Sequence, residues 1–275
     1  MKNVVFITGA SSGIGRAVAK EFVKQGHAVF LTARREDRLA ELARELSSNG
    51  GDVAHQVCDV TSRQDLDRAV ESARGKFGKI DVCFANAGFG VAGRFDKLTI
   101  DDFRRQFETN VFGVLNTVYS SLNSILESKG SIVLMGSANS YVSEPRKAPY
   151  CMSKFAVKAL ADGLYWELKP NGVAVTLICP GIVESEIRQV DKWGKYDANA
   201  KDPAPKKLMM PTTVAAKKIV SAILGRKKEE LVTFHGTAAV WAQRYAPFLL
   251  TPILKQAKPL SGLGQENKKI ENRST

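Results

Sequence analysis

Three polar side chains in the middle of the chain have the types and spacing needed to move a proton. Tyr150 and Lys154 are four positions apart, which places them on one face of a helix, and Ser137 precedes them. A phenol has an ordinary pKa of about 10, but a neighbouring ammonium group favours its ionised form. A phenol and a hydroxyl that converge on one oxygen can protonate and polarise a carbonyl as it accepts hydride. The pattern indicates Tyr150 as a general acid and base, assisted by Ser137 and Lys154.

Short apolar runs alternate with amphipathic segments of helical length along most of the chain. This alternation predicts an α/β fold, specifically a single doubly wound Rossmann-type domain with a seven-stranded parallel sheet covered by helices on both sides. Thr61 and Thr99 are predicted to cap the third and fourth helices. We expect strands at 4–8, 28–32, 53–57, 80–85, 131–135, 173–178 and 231–234, and helices at 13–25, 36–48, 62–77, 99–127, 148–169 and 211–224.

The position of a tyrosine in its helix decides which tyrosine can take part in chemistry. Doubly wound sheets bind ligands beyond the carboxyl ends of their strands, and Tyr150 lies in the first turn of a helix that begins at that edge. Tyr165 and Lys169 repeat the same spacing, but they lie roughly 22 Å farther along the helix. We therefore interpret Tyr165 and Lys169 as a surface pair.

A glycine-rich turn lies between the first predicted strand and the first predicted helix. It has the pattern T-G-x-x-x-G-x-G, in which Gly9 permits a tight turn, Gly13 allows backbone to approach a ligand, and Gly15 allows close packing. Free backbone N–H groups at a helix N-terminus favour a pyrophosphate. The residues predicted to bind a dinucleotide here are Gly9, Ser11, Ser12, Gly13, Ile14 and Gly15.

The end of the second strand predicts which dinucleotide is bound. Enzymes that use NAD place an acid there to hold the ribose hydroxyls, whereas this strand ends in Thr32-Ala33-Arg34-Arg35. Two guanidinium groups favour the ribose 2′-phosphate of NADP, with Arg34 the better candidate, although both could instead begin a solvated helix. Asp59, followed by Val60, is predicted either to contact the adenine or to act only as a cap.

Further landmarks follow the later strands, namely Asn86-Ala87-Gly88, Asn110 and Pro180-Gly181. Together with the glycine-rich turn, Ser137, Tyr150 and Lys154, they make residues 3–234 resemble the short-chain dehydrogenase/reductase family. The resemblance implies an oxidoreductase that moves hydride between NADP(H) and a carbonyl or secondary alcohol. It also implies that Asn110 serves a water-mediated proton relay and that Lys154 contacts the nicotinamide ribose.

The segment after Pro180-Gly181 completes the predicted coenzyme site. The family places Thr or Ser near the nicotinamide carboxamide, and Ser185 is expected to fill that role, with Val183 nearby. Glu184 has no assigned role. Residues 186–210 are predicted to form either a lid over the substrate or a mobile surface loop.

The predicted domain organisation is one catalytic domain with an addition at its C-terminal end. The NADP-binding domain is expected to span residues 1–235, followed by a helical extension at 236–258 and a disordered polar tail at 259–275. Apolar residues in 237–254 could dock on another subunit or on a membrane surface. Self-association into a homodimer or homotetramer is the favoured alternative.

Composition excludes several other classes of function. The 40 basic and 28 acidic residues give a net charge of +12, and 17 of the basic but only 7 of the acidic residues follow position 187. Because no basic stripe with interleaved aromatic residues and no nucleic-acid-binding motif occurs there, no nucleic-acid partner is expected. No uncharged stretch reaches the roughly 18 residues of a membrane span and no signal-peptide pattern is present, so we expect a cytoplasmic protein.

The cysteines and histidines indicate no metal site. Cys58, Cys83, Cys151 and Cys179 lie far apart without a C-x-x-C pair, so they are predicted to be reduced and mostly buried. The three histidines, His27, His55 and His235, are assigned structural or surface roles.

The substrate is less sharply predicted than the chemistry. The C-terminal extension makes the chain look more like hydroxysteroid or retinol dehydrogenases, which favours a hydrophobic ketone or a hydroxysteroid-like alcohol. A ketoacyl-carrier-protein reductase is an alternative, because an acidic carrier could meet basic residues. Those residues are Arg104, Arg105, Lys206 and Lys207. A non-catalytic NADP-binding sensor or scaffold is a third possibility.

Overall fold

Seven parallel strands form a single sheet in the computed structural model, which describes residues 2–191, 193–197, 199–200, 202 and 204–256. The strand order is β3-β2-β1-β4-β5-β6-β7, and each neighbouring pair is parallel. This result confirms the predicted α/β fold class. The strands are β1 (Val4–Thr8), β2 (Ala28–Ala33), β3 (Val53–Val57), β4 (Val82–Ala85), β5 (Ser131–Met135), β6 (Ala174–Cys179) and β7 (Glu229–Leu231).

The helices cover both faces of the sheet and form one hydrophobic core on each side. Helices α1, α2 and α7 pack on one face through residues such as Phe22, Leu42 and Ile219, while α3, α5 and α6 pack on the other. The helices are α1 (Gly13–Lys24), α2 (Glu36–Ser48), α3 (Arg63–Phe77), α4 (Ile100–Phe107), α5 (Gly113–Ser128), α6 (Ala148–Leu168), α7 (Thr212–Leu224), α8 (Phe234–Tyr245) and α9 (Pro247–Gln256).

Local hydrogen bonding shifts three of the predicted boundaries. Ser62, not Thr61, caps α3 by accepting a hydrogen bond from the Asp65 N–H, whereas Thr99 caps α4 as predicted. The predicted helix at 99–127 is interrupted by a π-helical turn at Glu108–Phe112. The seventh strand ends at Leu231 rather than at residue 234, because the Thr233 side chain caps α8.

The segment after β6 and the C-terminal extension both reach the carboxyl edge of the sheet. Residues Glu186–Gln189 form a short 3₁₀ turn, and Arg188 forms an ion pair of 2.7 Å with Asp202. In the extension, Leu250 is buried, whereas Phe248 is 71% exposed. The apolar run at 248–254 is therefore only partly available for docking. The predicted disordered tail at 259–275 lies outside the described residues.

No helix within the described part of the chain is long and apolar enough to cross a membrane. The four cysteines are free and buried, as predicted. Among the described residues, no group of three or more His, Cys, Asp or Glu side chains lies close enough together to hold a metal ion.

Candidate active site

A cleft of about 1130 Å³ lies beyond the carboxyl ends of the strands. Each of strands β1, β2, β4, β5 and β6 leads directly into residues that line it. Every residue predicted to bind the coenzyme lines this cleft, and so does Ser137, whereas Asn110 lies behind its wall. The lining residues from that set are Gly9, Ser11, Ser12, Gly13, Ile14, Gly15, Arg34, Arg35, Asp59, Val60, Asn86, Ala87, Gly88, Tyr150, Lys154, Pro180, Gly181, Val183 and Ser185.

Tyr150, Ser137 and Lys154 come together where β5 and α6 meet. Ser137 follows β5, and Tyr150 lies in the first turn of α6. The Ser137 side chain is close enough to the Tyr150 phenol to influence its pKa. Lys154 is buried, its Nζ donates to the Met135 carbonyl at 2.7 Å, and it lies 5.7 Å from the centre of the Tyr150 ring. The cleft thus holds an acid and a second hydroxyl side by side.

Burial shifts the pKa values of Tyr150 and Lys154 in opposite directions. Burial raises the pKa of Tyr150 to about 12, while the Ser137 side chain acts in the opposite direction. Burial lowers the pKa of Lys154 to about 8, because its ammonium group is removed from water. In the protein without coenzyme, the phenol is therefore fully protonated at neutral pH and can act as a proton donor.

Tyr165 occupies a different environment from Tyr150. It does not line the cleft, and Lys169 lies 5.6 Å from the centre of its ring. The two tyrosines therefore differ in their access to the site even though they share the same spacing to a lysine.

The π-helical turn positions Asn110 inside the protein. Its side chain is fully buried and donates to the Phe89 carbonyl at 3.0 Å and to Ser153 Oγ at 3.2 Å. It also accepts from the Phe89 N–H at 3.1 Å. Single π turns inside α-helices occur often at functional sites. Here the turn directs a polar side chain toward the loop that follows β4, next to the helix that carries Tyr150.

The glycine-rich turn leaves space that a side chain would fill. Gly9 has a φ of +67°, and a Cβ on Gly15 would lie 2.4 Å from the Gly9 carbonyl oxygen. Ser12 precedes α1 in an extended conformation without capping it through its side chain. Asn86 fastens this turn to β4 by donating to the carbonyls of Thr8 and Gly9. A narrow cradle at an uncapped helix N-terminus fits a pyrophosphate.

The arginines after β2 lie beside this cradle and make different contacts. Arg35 donates to Ser12 Oγ at 2.6 Å and to Ser11 Oγ at 3.2 Å. The Arg34 guanidinium is more exposed and lies 3.4 Å from the Gly194 carbonyl. Guanidinium donors at this position could hold a phosphate group of a bound coenzyme. Sequence reasoning missed Arg38, which lines the same part of the cleft one turn farther along α2.

Asp59 lines the cleft but has local partners. Its Oδ1 accepts from the Thr61 N–H at 3.0 Å and from the Thr61 hydroxyl at 2.9 Å. These bonds form a local turn just before Ser62, which caps α3, so Asp59 does not cap the helix itself. The backbone of Asp59 and Val60 borders the cavity, and the contact of Asp59 with adenine stays a prediction.

His235 has a structural role, as assigned from the sequence, but its place in the lining of the cleft was missed. Its Nε2 accepts a hydrogen bond of 2.8 Å from the Ile182 N–H, and its ring lines the cleft. The ring packs closely on the loop after β6, since a Cβ on Gly181 would lie 2.7 Å from Nε2. His235 therefore positions the Pro180–Ser185 loop. No local pattern pointed to this role, because its partner lies 53 positions earlier in the chain.

We expect protonation of His235 to weaken the fold below neutral pH. Burial lowers its pKa from the ordinary value, and only the neutral ring can accept from Ile182. Its contribution to the free energy of unfolding is thus complete above the pKa of an unfolded histidine and is lost as pH falls through the lower folded value. The contribution is on the order of 1 kcal/mol or less, as for one hydrogen bond.

Denaturant unfolding at pH 7.5 and pH 5 measures this effect. The His235→Gln variant keeps an acceptor that does not titrate, so its stability should change less with pH than that of the wild type. The exposed His55 provides the matched control, because His55→Gln should retain the wild-type pH dependence. An unchanged pH dependence in His235→Gln would contradict the assignment.

The fold and the cleft together define an α/β dinucleotide-binding protein. Residues 3–194 match the model of the short chain dehydrogenase family. The chain belongs to the short-chain dehydrogenase/reductase family, whose members are oxidoreductases that act on alcohol and carbonyl groups. The resemblance inferred from the sequence is thereby confirmed.

Two curated relatives illustrate the range of the family. The chain is 38% identical over 223 residues to an A-factor type gamma-butyrolactone 1'-reductase (1S-forming) of Streptomyces virginiae, which covers 80% of this chain and 86% of that protein. It is 37% identical over 188 residues to 11-beta-hydroxysteroid dehydrogenase A of Arachis hypogaea, which covers 67% of this chain and 53% of that protein.

Two solved structures have the same architecture. An alcohol dehydrogenase from Thermococcus sibiricus, complexed with 5-hydroxy-NADP, has a TM-score of 0.74 and 28% identity, and covers 85% of this chain and 97% of that chain. A short-chain dehydrogenase/reductase from Burkholderia phymatum, in complex with NAD, has a TM-score of 0.80 and 26% identity, and covers 94% of this chain and 98% of that chain. Similar structures thus contain either type of dinucleotide.

Proposed function

We propose that this chain is an NADP(H)-dependent oxidoreductase that transfers hydride between the coenzyme and a carbonyl or secondary alcohol. The observation that carries the proposal is the presence of three groups in one cleft. These groups are the Tyr150 and Ser137 hydroxyls, the buried Lys154 at 5.7 Å from the centre of the Tyr150 ring, and the glycine-rich turn with its arginines.

Some residues of the cleft bind the coenzyme, and others transfer the proton. The glycine-rich turn would hold the pyrophosphate, and Arg34 and Arg35 would hold the 2′-phosphate. A bound nicotinamide supplies or accepts the hydride. Ser137 polarises the substrate oxygen, and Tyr150 donates its proton to that oxygen during reduction.

The charge state of Tyr150 suits the proton-donor role that reduction requires. Because burial raises the pKa of Tyr150 to about 12, the phenol is protonated throughout the neutral range. Reduction needs this protonated form, whereas oxidation needs the phenolate. The buried ammonium group of Lys154 and the positive charge of an oxidised nicotinamide both stabilise the phenolate that oxidation requires.

The walls of the cleft support a hydrophobic substrate. Val91, Val142 and Leu250 are buried residues that line it, and Leu250 comes from the C-terminal extension. We infer a hydrophobic ketone or a hydroxysteroid-like alcohol as the substrate class. The names of the butyrolactone reductase and the hydroxysteroid dehydrogenase among the relatives support this inference.

The alternative of an acidic carrier protein as substrate has less support. Two of the four basic residues considered for it, Arg104 and Arg105, are paired with Asp101 and Asp102.

Self-association remains part of the proposal. The last two helices expose Trp241, Tyr245 and Phe248, which are 59%, 62% and 71% exposed. The ring centres of Trp241 and Tyr245 lie 5.4 Å apart, and exposed aromatic side chains of this kind favour contact with another subunit.

Separate titrations with NADPH and NADH test the choice of coenzyme. We expect NADPH to bind at least tenfold more tightly, because only NADPH carries the phosphate that the arginines fit. Quenching of tryptophan fluorescence measures both affinities, and calorimetry provides an independent check. Equal affinities would contradict the role of the arginines, and no binding of either coenzyme would contradict the proposed enzyme.

A further inference from the structure

A carboxylate from the segment after β6 lies among the arginines assigned to the coenzyme phosphate. Glu186 Oε2 accepts from Arg35 Nη1 at 3.0 Å, and Arg38 Nη1 donates to both carboxylate oxygens at 2.7 and 2.8 Å. The three side chains are each about 30% exposed, with values of 33%, 29% and 29%. Glu186 comes from a part of the chain about 150 positions from its partners, so its place is set by the fold.

The same segment contacts all three arginines of the cluster. The Arg38 guanidinium lies 5.0 Å from the centre of the Tyr196 ring, and Arg34 lies 3.4 Å from the Gly194 carbonyl. Arg35 binds Glu186 while its other donors hold Ser11 and Ser12 of the glycine-rich turn. Residues 186–191 and 193–196, here called the arginine strap, therefore cover the place where the 2′-phosphate would bind.

Glu186 carries a negative charge at neutral pH. Burial opposes its ionisation, but the hydrogen bonds from Arg35 and Arg38 hold its pKa below the ordinary value. A phosphate on the ribose carries roughly two negative charges and needs the same guanidinium donors. Two anions of this size cannot both take the best donor positions of Arg35 and Arg38 without strong repulsion.

We propose that Glu186 is a specificity-determining residue that competes with the coenzyme 2′-phosphate for Arg35 and Arg38. This inference rests on the proposed NADP(H) function. When the phosphate binds, the carboxylate leaves the two guanidiniums and the arginine strap separates from α2. The affinity for NADPH is therefore reduced by the cost of breaking this ion pair. NADH lacks the phosphate and leaves the ion pair intact, so Glu186 narrows the preference of the protein for NADPH.

The Glu186→Gln variant tests the proposal, because it removes the charge and keeps the size of the side chain. We expect the Kd for NADPH to fall by about fivefold or more, while the Kd for NADH stays within about twofold. Calorimetry with two fragments repeats the test without any contribution from the nicotinamide. The variant should bind adenosine 2′,5′-bisphosphate, which carries the 2′-phosphate, more tightly than the wild type does, while its affinity for 5′-AMP should be unchanged.

Glu184→Gln is the matched control. Glu184 lies two positions earlier, is exposed, and does not line the cleft, so its replacement removes the same charge from the same segment. We expect both of its Kd values to equal those of the wild type. An equal gain in Glu184→Gln would show a general charge effect and would overturn the proposal.

Other outcomes separate this inference from the function on which it rests. Weaker NADPH binding by Glu186→Gln would show that the carboxylate holds the arginines in place for the phosphate, which would overturn competition. An equal change for NADPH and NADH, or no change for either, would also overturn it while leaving the NADP(H) function intact. If the wild type bound neither coenzyme, the proposed function itself would fail.

Discussion

Replacing Tyr150 with Phe should lower the turnover number by about 10²- to 10⁴-fold, the usual contribution of a general acid. The variant removes the phenol oxygen and nothing else, so the ring still fills its place beside Lys154 and the loop after β4. Because the glycine-rich turn and the arginines are untouched, the Kd for NADPH should stay within about twofold. Steady-state rates on a panel of hydrophobic ketones, together with a coenzyme titration, measure both quantities.

The chain contains its own control for this variant. Tyr165 has the same spacing to a lysine but does not line the cleft, so Tyr165→Phe should leave turnover unchanged. Full activity in Tyr150→Phe would exclude the phenol as the proton donor. A parallel loss of coenzyme binding would instead show that the tyrosine acts by holding the coenzyme.

The sheet and the glycine-rich turn were predictable because their signals are local. Apolar runs such as Val4–Thr8 mark strands buried on both faces, and the glycines that follow are required within a few residues of the strand. Choosing Tyr150 over Tyr165 needed only the distance along one helix. In each case, the information lies within one element and its flanking residues.

Contacts between distant segments could not be predicted in this way. Glu186 meets Arg35 and Arg38 across about 150 positions, and His235 meets Ile182 across 53 positions. The sequence indicated arginines for a phosphate and favoured Arg34, yet in the structure Arg35 is the one bound to the glycine-rich turn. Which side chain of an adjacent pair turns toward a site depends on neighbours supplied by the fold.

Small differences in hydrogen bonding also moved the ends of helices away from the positions that the sequence predicted. Thr61 and Ser62 are both good capping residues, but Thr61 is engaged by the Asp59 carboxylate and leaves the cap of α3 to Ser62. The π-helical turn around Asn110 adds a residue to a helix that reads as continuous. Apolar residues of the C-terminal extension were expected to dock on another subunit or on a membrane surface, whereas Leu250 lines the cleft.

Gly15→Ala should destabilise the protein and weaken coenzyme binding, although Ala is the better helix former. Ala gains up to about 1 kcal/mol from helix propensity. Its Cβ, however, would lie 2.4 Å from the Gly9 carbonyl oxygen and 2.6 Å from Asn86 Nδ2. Both neighbours are fixed, since Asn86, which follows β4, donates to the carbonyls of Thr8 and Gly9. Overpacking of this kind costs about 1–3 kcal/mol, so we expect a net loss in the free energy of unfolding.

The displaced atoms also form the cradle, so the binding effect should exceed the effect on stability. We expect the Kd for NADPH to rise at least about tenfold, because the Gly9 carbonyl and the backbone beside it must move away from the pyrophosphate position. Gly75→Ala is the control: Gly75 lies inside α3 with nothing within 4 Å of its added Cβ, and this variant should be as stable as the wild type or more so. Denaturant unfolding and coenzyme titration of both variants separate the effect of the crowded Cβ at position 15 from the effect of the higher helix propensity of alanine. If Gly15→Ala matched Gly75→Ala in both measurements, the close approach of α1 to the glycine-rich turn would have no role in coenzyme binding.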